Sequence, residues 1–447
     1  MISANELLSV PHQAVLGILP DTIRGFWNDA RTLTPGDGFL ALRGRRDGHE
    51  FLTQALQAGA SCAIVENPNP NIPLPQIQVG NVLEFAQKVI QKHRQKYHII
   101  SVTGSYGKTS TKEFLRRFFE SVAYATPENL NNILGITISL SQMDQERFGI
   151  LEAGIDRPGE MAPIIALLDP DCSVFTGIAP VHLSQFQDFP QLVAEKAQIL
   201  SYMLQRQRPC AIAASCWPLL EKNLPAPDTS LTLVGEVEKF PRHCNYTHLI
   251  IKKNSPKVEI ILSGTYFEAK KFYLPAMTYG QIENFALAAT VAKLYGISDE
   301  TLQERVQQWR PTALRGETLT FRGHPVYLDA YNANPVAMRD ALDFFDQQYH
   351  GRKIYVLGGM RELGVLEERE HQVLADYFKN HTSNTIIAVG PEMKAFCRAL
   401  PSDVEVTYFE SIEQARPYFL KILDSSDNPA FIKGSHIYAL WKLVQSV

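Results

Sequence analysis

The residues best suited to chemistry fall in one short run. Gly104, Ser105, Gly107, Lys108, Thr109 and Ser110 follow the apolar, β-branched Ile100-Ser101-Val102-Thr103, and Glu113 to Phe119 then repeats apolar residues at helical spacing. Strand, glycine loop and helix in that order make a phosphate-binding unit. The glycines let backbone amides approach an anion, and the helix start turns its N–H groups toward it. Lys108 is then placed for the β- and γ-phosphates and the Thr109 hydroxyl for Mg2+. The full spacing of such loops needs a glycine at 102, where this chain has Val102.

Other candidates stand at the ends of predicted strands, where open parallel sheets collect ligands. Phe148 to Gly154 is an apolar strand ending at Glu152, an oxygen donor suited to Mg2+ or else a cap for a neighbouring helix. His182 follows the strand Cys172 to Thr176 and suits a metal or a structural hydrogen bond; Lys196, on a later helical stretch, carries no signal alone. Asn129, Asn131 and Asn132 lie in a polar loop, to grip a peptide or sugar or to cap the next helix. Near the N-terminus, Arg31 and the Asp47-Gly48-His49 corner could hold a polar ligand, or Arg31 be solvated and His49 a cap. Further on, Asp329, Tyr331, Asn332 and Asn334, then Gly358-Gly359 with Arg361, then Lys433-Gly434-Ser435, follow the first, second and last strands of the final segment.

These residues need α/β elements to position them. The chain has 447 residues, enough for two or three domains. Residues 1–96 read as a small α/β domain, and 97–310 as a central phosphate-loop sheet in which strands at 231–234, 248–251 and 258–262 form an antiparallel flank. After Trp309-Arg310-Pro311, residues 311–447 alternate strand and helix as a doubly wound, Rossmann-like domain closing with a helix at 437–443.

Composition narrows the partners. A net charge of -4 gives no electrostatic case for nucleic acid or an anionic membrane, and no apolar run is long enough to span a bilayer. Six scattered cysteines without a C-x-x-C pair suit reduced thiols, and the N-terminus lacks an export signal; a cytoplasmic protein is expected.

Together the motifs resemble the Mur ligases over nearly the whole chain. Thr103 to Ser110 is similar to that family's shortened phosphate loop, and Asn129-Leu130-Asn131-Asn132, Asp329 to Pro335, Gly358 to Gly364 and Lys433-Gly434-Ser435 fit the members that join D-alanyl-D-alanine to a UDP-N-acetylmuramoyl tripeptide. The resemblance implies a bacterial ATP-dependent ligase of peptidoglycan synthesis that works as a monomer. It implies two Mg2+ ions held by Thr109, Glu152, His182 and Lys196, the last as a carbamate formed with CO2. Asn284 is implied at adenine, Arg315 at the γ-phosphate and Asp329 at the ribose. Arg31, Asp47 and His49 would serve the uridine diphosphate, and Tyr331, Asn332, Asn334, Arg361 and Lys433 the peptide substrates. Three residues depart from the family pattern: Ala30 replaces a hydroxyl residue, Gly280 a histidine and Gly359 an aspartate.

Overall fold

The computed structural model describes residues 1–447 apart from 128–129, 182, 237–239, 242, 255–256 and 446–447, and the side chains of 253, 254 and 257. Three main sheets are each drawn from one contiguous stretch of chain. The first has five strands in the order Ala14–Leu16, Gln76–Gln78, Cys62–Val65, Gly38–Leu40, Phe26–Trp27, parallel except at the first pair. Its two faces pack differently: Phe39, Ala63 and Val65 join a small local core, whereas Leu40, Cys62 and Ile64 belong to the large core shared with the central sheet.

The central sheet has nine strands, and its middle is Cys210–Ala213, Cys172–Phe175, His98–Thr103, Phe148–Ala153, all parallel. Buried on both faces, these strands read as apolar runs rather than alternations. Leu231–Gly235 corrects the expected antiparallel flank. It pairs parallel with Cys210–Ala213, because the intervening segment includes the helix Trp217–Leu220 and supplies a crossover. Asn245–Asn254 is also parallel to it, and antiparallel pairing begins only with Lys257–Gly264 and Lys270–Leu274.

The third sheet runs Glu317–Phe321, His324–Asp329, Ala430–Lys433, Ile354–Gly358, Thr385–Val389, Val406–Phe409, with only the first pair antiparallel. One face packs Met338, Leu342 and Phe345 of the helix Pro335–Gln348, and the other Ala415 and Phe419 of Ile412–Asp424, so the sheet is covered on both sides. The expected closing helix is two short 3-10 turns, His436–Tyr438 and Leu440–Val444, separated by Ala439 in a left-handed conformation (φ 49°) that interrupts an α-helix.

Candidate active site between the central and C-terminal sheets

Val102 lies inside the strand His98–Thr103, aligned between Glu152 and Val174 and fully buried. The turn therefore starts at Gly104, which is why position 102 has no use for a glycine. Gly104 (φ 145°) and Gly107 (φ 79°) take conformations that side chains oppose, and a Cβ on Gly107 would lie 2.5 Å from Asn284 Oδ1. The loop is stitched to the neighbouring strand end: Ser105 donates its N–H to Gly177 O (2.7 Å) and its hydroxyl to Ala179 O (3.0 Å). The helix Lys108–Phe119 begins without a side-chain cap, leaving its first turn to an anion.

Two lysines converge beneath the loop. Lys108 Nζ donates to Gly104 O at 2.9 Å, and Lys196 Nζ, from the helix Phe189–Gln205, donates to the same oxygen at 3.3 Å. Lys196 is 1% exposed; burial, reinforced by the neighbouring Lys108 charge, pushes its pKa down to about 7. Burial also lowers that of Lys108. Glu152 is equally buried, and its Oε1 lacks a hydrogen-bond partner, the buried Lys112 Nζ standing 3.5 Å away. An acidic oxygen so placed, in the same wall as the Thr109 hydroxyl, suits a hard divalent cation. Among the described residues no three His, Cys, Asp or Glu gather into a ligand set.

Lys108, Thr109 and Glu152 line one cavity of about 590 Å³ whose opposite wall comes from the C-terminal domain. Arg315 stacks on Tyr331, its guanidinium carbon 3.8 Å from the ring centre. Asp329 and Lys433 end adjacent parallel strands and form an ion pair at 2.5 Å, and Lys433 also donates to Asn332 O at 3.1 Å. Lys433, 1% exposed, is thus committed to orienting Asp329 and its loop. Asn131 and Asn334 line the cavity too, Asn334 also capping the helix Pro335–Gln348. The two walls are joined by Gly280 N–H donating to Asp340 Oδ2 at 3.0 Å. Position 280 has little room for a histidine, since a Cβ would stand 2.9 Å from that oxygen.

Other expected residues lie elsewhere. Asn132 accepts from Gly135 N–H at 2.9 Å and caps the helix Ile133–Ser141. Arg361 pairs with Glu392, which also accepts from the Tyr438 hydroxyl; these two side chains fill the space beside Gly359 that an aspartate would need. The first-sheet corner does not line the cavity and is internally satisfied. Asp47 Oδ1 accepts from the His49 N–H and takes its Nδ1 at 2.6 Å, while His49 Nε2 faces the N–H groups of Glu66 and Asn67 at 3.0 and 3.2 Å. The expectation that His49 caps a helix is corrected: Asp47 caps the 3-10 turn Gly48–Phe51, and the ring clamps the end of Cys62–Val65. Arg31 forms an exposed pair with Asp29 at 2.6 Å. Ala30 is buried in the local apolar core. Asn129 and His182 lie outside the described residues.

Sequence reasoning missed Tyr106, Lys112, Ser215, Glu283 and Asp340. Lys112 and Tyr106 stood in the phosphate-loop stretch and were legible as neighbours of its motif. Glu283 sits on a helix buried all round, which has no polar face to flag it, and Asp340 reaches the cavity from the helix Pro335–Gln348 of the C-terminal domain.

Comparisons with known proteins agree with this geometry. Residues 102–292 match the Mur ligase middle domain and 314–436 the Mur ligase, glutamate ligase domain, most of the chain between them. A UDP-N-acetylmuramoyl-tripeptide--D-alanyl-D-alanine ligase from Rickettsia prowazekii is 26% identical over 429 residues, 93% of each chain. MurF from Acinetobacter baumannii superposes with a TM-score of 0.83 at 23% identity, covering 99% of this chain and 97% of that one. The MurF ligase from Thermotoga maritima in complex with ADP gives 0.78 at 20% identity, over 94% and 96%. The chain belongs to the Mur ligase family.

Proposed function

We propose that this chain is an ATP-dependent amide-forming ligase that joins D-alanyl-D-alanine to UDP-N-acetylmuramoyl-tripeptide in peptidoglycan precursor synthesis. The observation that carries the reading is the single cavity that unites Lys108, Glu152 and Asn284 with Arg315 and Asp329. A phosphate loop alone would serve any nucleotide hydrolase; a second wall with its own arginine and acid suits a reaction in which phosphate is passed to a bound carboxylate. The tripeptide carboxylate attacks the γ-phosphorus and ADP departs. The dipeptide amine then attacks the acyl phosphate carbonyl, loses a proton and expels inorganic phosphate. Lys108 offsets charge on the transferred group, and Arg315, held on Tyr331, does so from the opposite wall.

Thr109, Glu152, His182 and Lys196 are proposed to hold two Mg2+ ions, supported by the orphaned Glu152 oxygen. Bound there, Mg2+ would supply charge neutralisation at the phosphates. Lys196 suits a carbamate for a physical reason: two ammonium groups crowd one carbonyl, and burial leaves much of the Lys196 amine neutral at pH 7. That neutral amine adds to CO2, releasing a proton, and the resulting anion turns repulsion from Lys108 into attraction. Residues 1–96 are proposed as the UDP-sugar domain, 97–310 as the ATP domain and 311–447 as the domain that presents the dipeptide, in a monomeric cytoplasmic enzyme. Among the described residues no helix is long and apolar enough to cross a membrane.

Phosphate release tests the reading. It should require ATP, the UDP-sugar tripeptide and D-alanyl-D-alanine together, with single amino acids or glutamate as poor acceptors. Release with ATP alone, or a preference for glutamate, would overturn it.

A further inference from the structure

Away from the phosphate loop, the cavity wall holds a buried carboxyl that the reaction above does not use. Glu283 is 4% exposed, stands one residue before Asn284 on the helix Tyr279–Leu294, and accepts a 3.3 Å hydrogen bond from Ser215 Oγ on its Oε1. Ser215 follows the strand Cys210–Ala213, and a Cβ built on Gly235, at the end of Leu231–Gly235, would lie 3.6 Å from that Oε1. These strands are two and three places from the strand that carries the phosphate loop. At about 4.8 Å per strand the offset is roughly 10 to 14 Å, the reach of a nucleotide from its terminal phosphates to its base.

The titratable neighbours of Glu283 among the described residues are Asp340, Glu236, Tyr106, Tyr279 and Cys216, none of them a cation. Burial, with Asp340 and Glu236 adding repulsion, pushes its pKa up to about 7. A protonated carboxyl offers a donor beside an acceptor. The Ser215 hydroxyl on Oε1 makes that oxygen the carbonyl and leaves Oε2 to carry the proton. Adenine presents an acceptor at N1 and a donor at its N6 amino group; guanine presents N1–H and O6, the reverse order.

We propose that Glu283 selects adenine over guanine, donating from Oε2 to N1 and accepting the N6 amino group on Oε1. This rests on the nucleotide reading of the cavity, and it makes base recognition depend on a proton. The test is calorimetric binding of ATP, GTP and inorganic tripolyphosphate, with Mg2+, between pH 6.5 and 8.5, to the full chain and to E283Q and E283A whose melting curves confirm folding. The wild type should prefer ATP over GTP by roughly tenfold or more. Its ATP affinity should fall as pH rises past 7, by up to about tenfold per pH unit, with no matching fall for tripolyphosphate. E283Q keeps a donor and an acceptor in the same order, so it should retain the preference and lose the pH dependence; E283A should lose the preference. An unchanged ATP-to-GTP ratio in folded E283A, or wild-type ATP affinity that tracks tripolyphosphate across the pH range, would overturn the role of Glu283 alone. Failure of the wild type to bind either ATP or tripolyphosphate would overturn it together with the nucleotide reading.

Discussion

The cavity under the phosphate loop and the polar corner of the first sheet use similar residue types to opposite ends. In the cavity, charges are left short of partners: Glu152 Oε1 has no hydrogen bond, and Lys108 and Lys196 share one carbonyl. In the corner, Asp47 and both ring nitrogens of His49 are engaged, and Arg31 is paired with Asp29. Buried polar groups normally find partners, because leaving one unpaired costs about 1–3 kcal/mol. Unmet demand beside an uncapped phosphate loop therefore suits a site that a ligand completes, whereas the corner's charges are paired among themselves and hold the strand Cys62–Val65.

Substitutions that exchange these characters break or sharpen the contrast. The largest effect is expected at Lys196. K196A should lower kcat by about 10²- to 10³-fold, with partial recovery when formate or acetate is supplied to replace the carbamate anion. Full activity without a supplement would remove the carbamate. G107A should come next, since a Cβ at φ 79° presses on Asn284. ATP affinity is expected to fall by roughly tenfold or more, read by calorimetry, while the melting temperature changes little; unchanged affinity would show that the Gly107 and Asn284 contact does not shape the nucleotide site.

At the corner the expected loss is in stability. H49A leaves the Glu66 and Asn67 N–H groups without their acceptor and should cost about 1–3 kcal/mol in denaturant unfolding, with kcat unchanged once the protein is folded. An undiminished midpoint would show the clamp to be idle. The smallest effect is expected at exposed Arg31. R31A should leave the melting temperature where it is and raise KM for the UDP-sugar substrate alone; an unaltered KM would place the uridine diphosphate elsewhere.

Local motifs were legible because their geometry is local. The phosphate loop needs only strand, glycines, lysine and threonine in succession, and the strand ends at Glu152 and Asp329 follow from apolar runs that stop at an acid. Where a residue had two readings, the partners decided. Asn132 caps its helix because Gly135 N–H is in reach, and Lys433, expected only as a substrate residue, pairs with Asp329 because its strand aligns with the one ending there. Lys196 was visible only through the family resemblance, since nothing in its neighbours along the chain reports burial.

By itself, the sequence determined the alternation of elements, the phosphate loop and the family, all carried by residues close together in the chain. Only the tertiary structure decided that Lys196 shares a carbonyl with Lys108, that Glu152 keeps an oxygen without a hydrogen bond, and that Asp340 and Glu283 meet one cavity from helices of different domains. The physical reason is that desolvation and charge pairing depend on which surfaces pack together, and here those surfaces come from segments far apart in the chain.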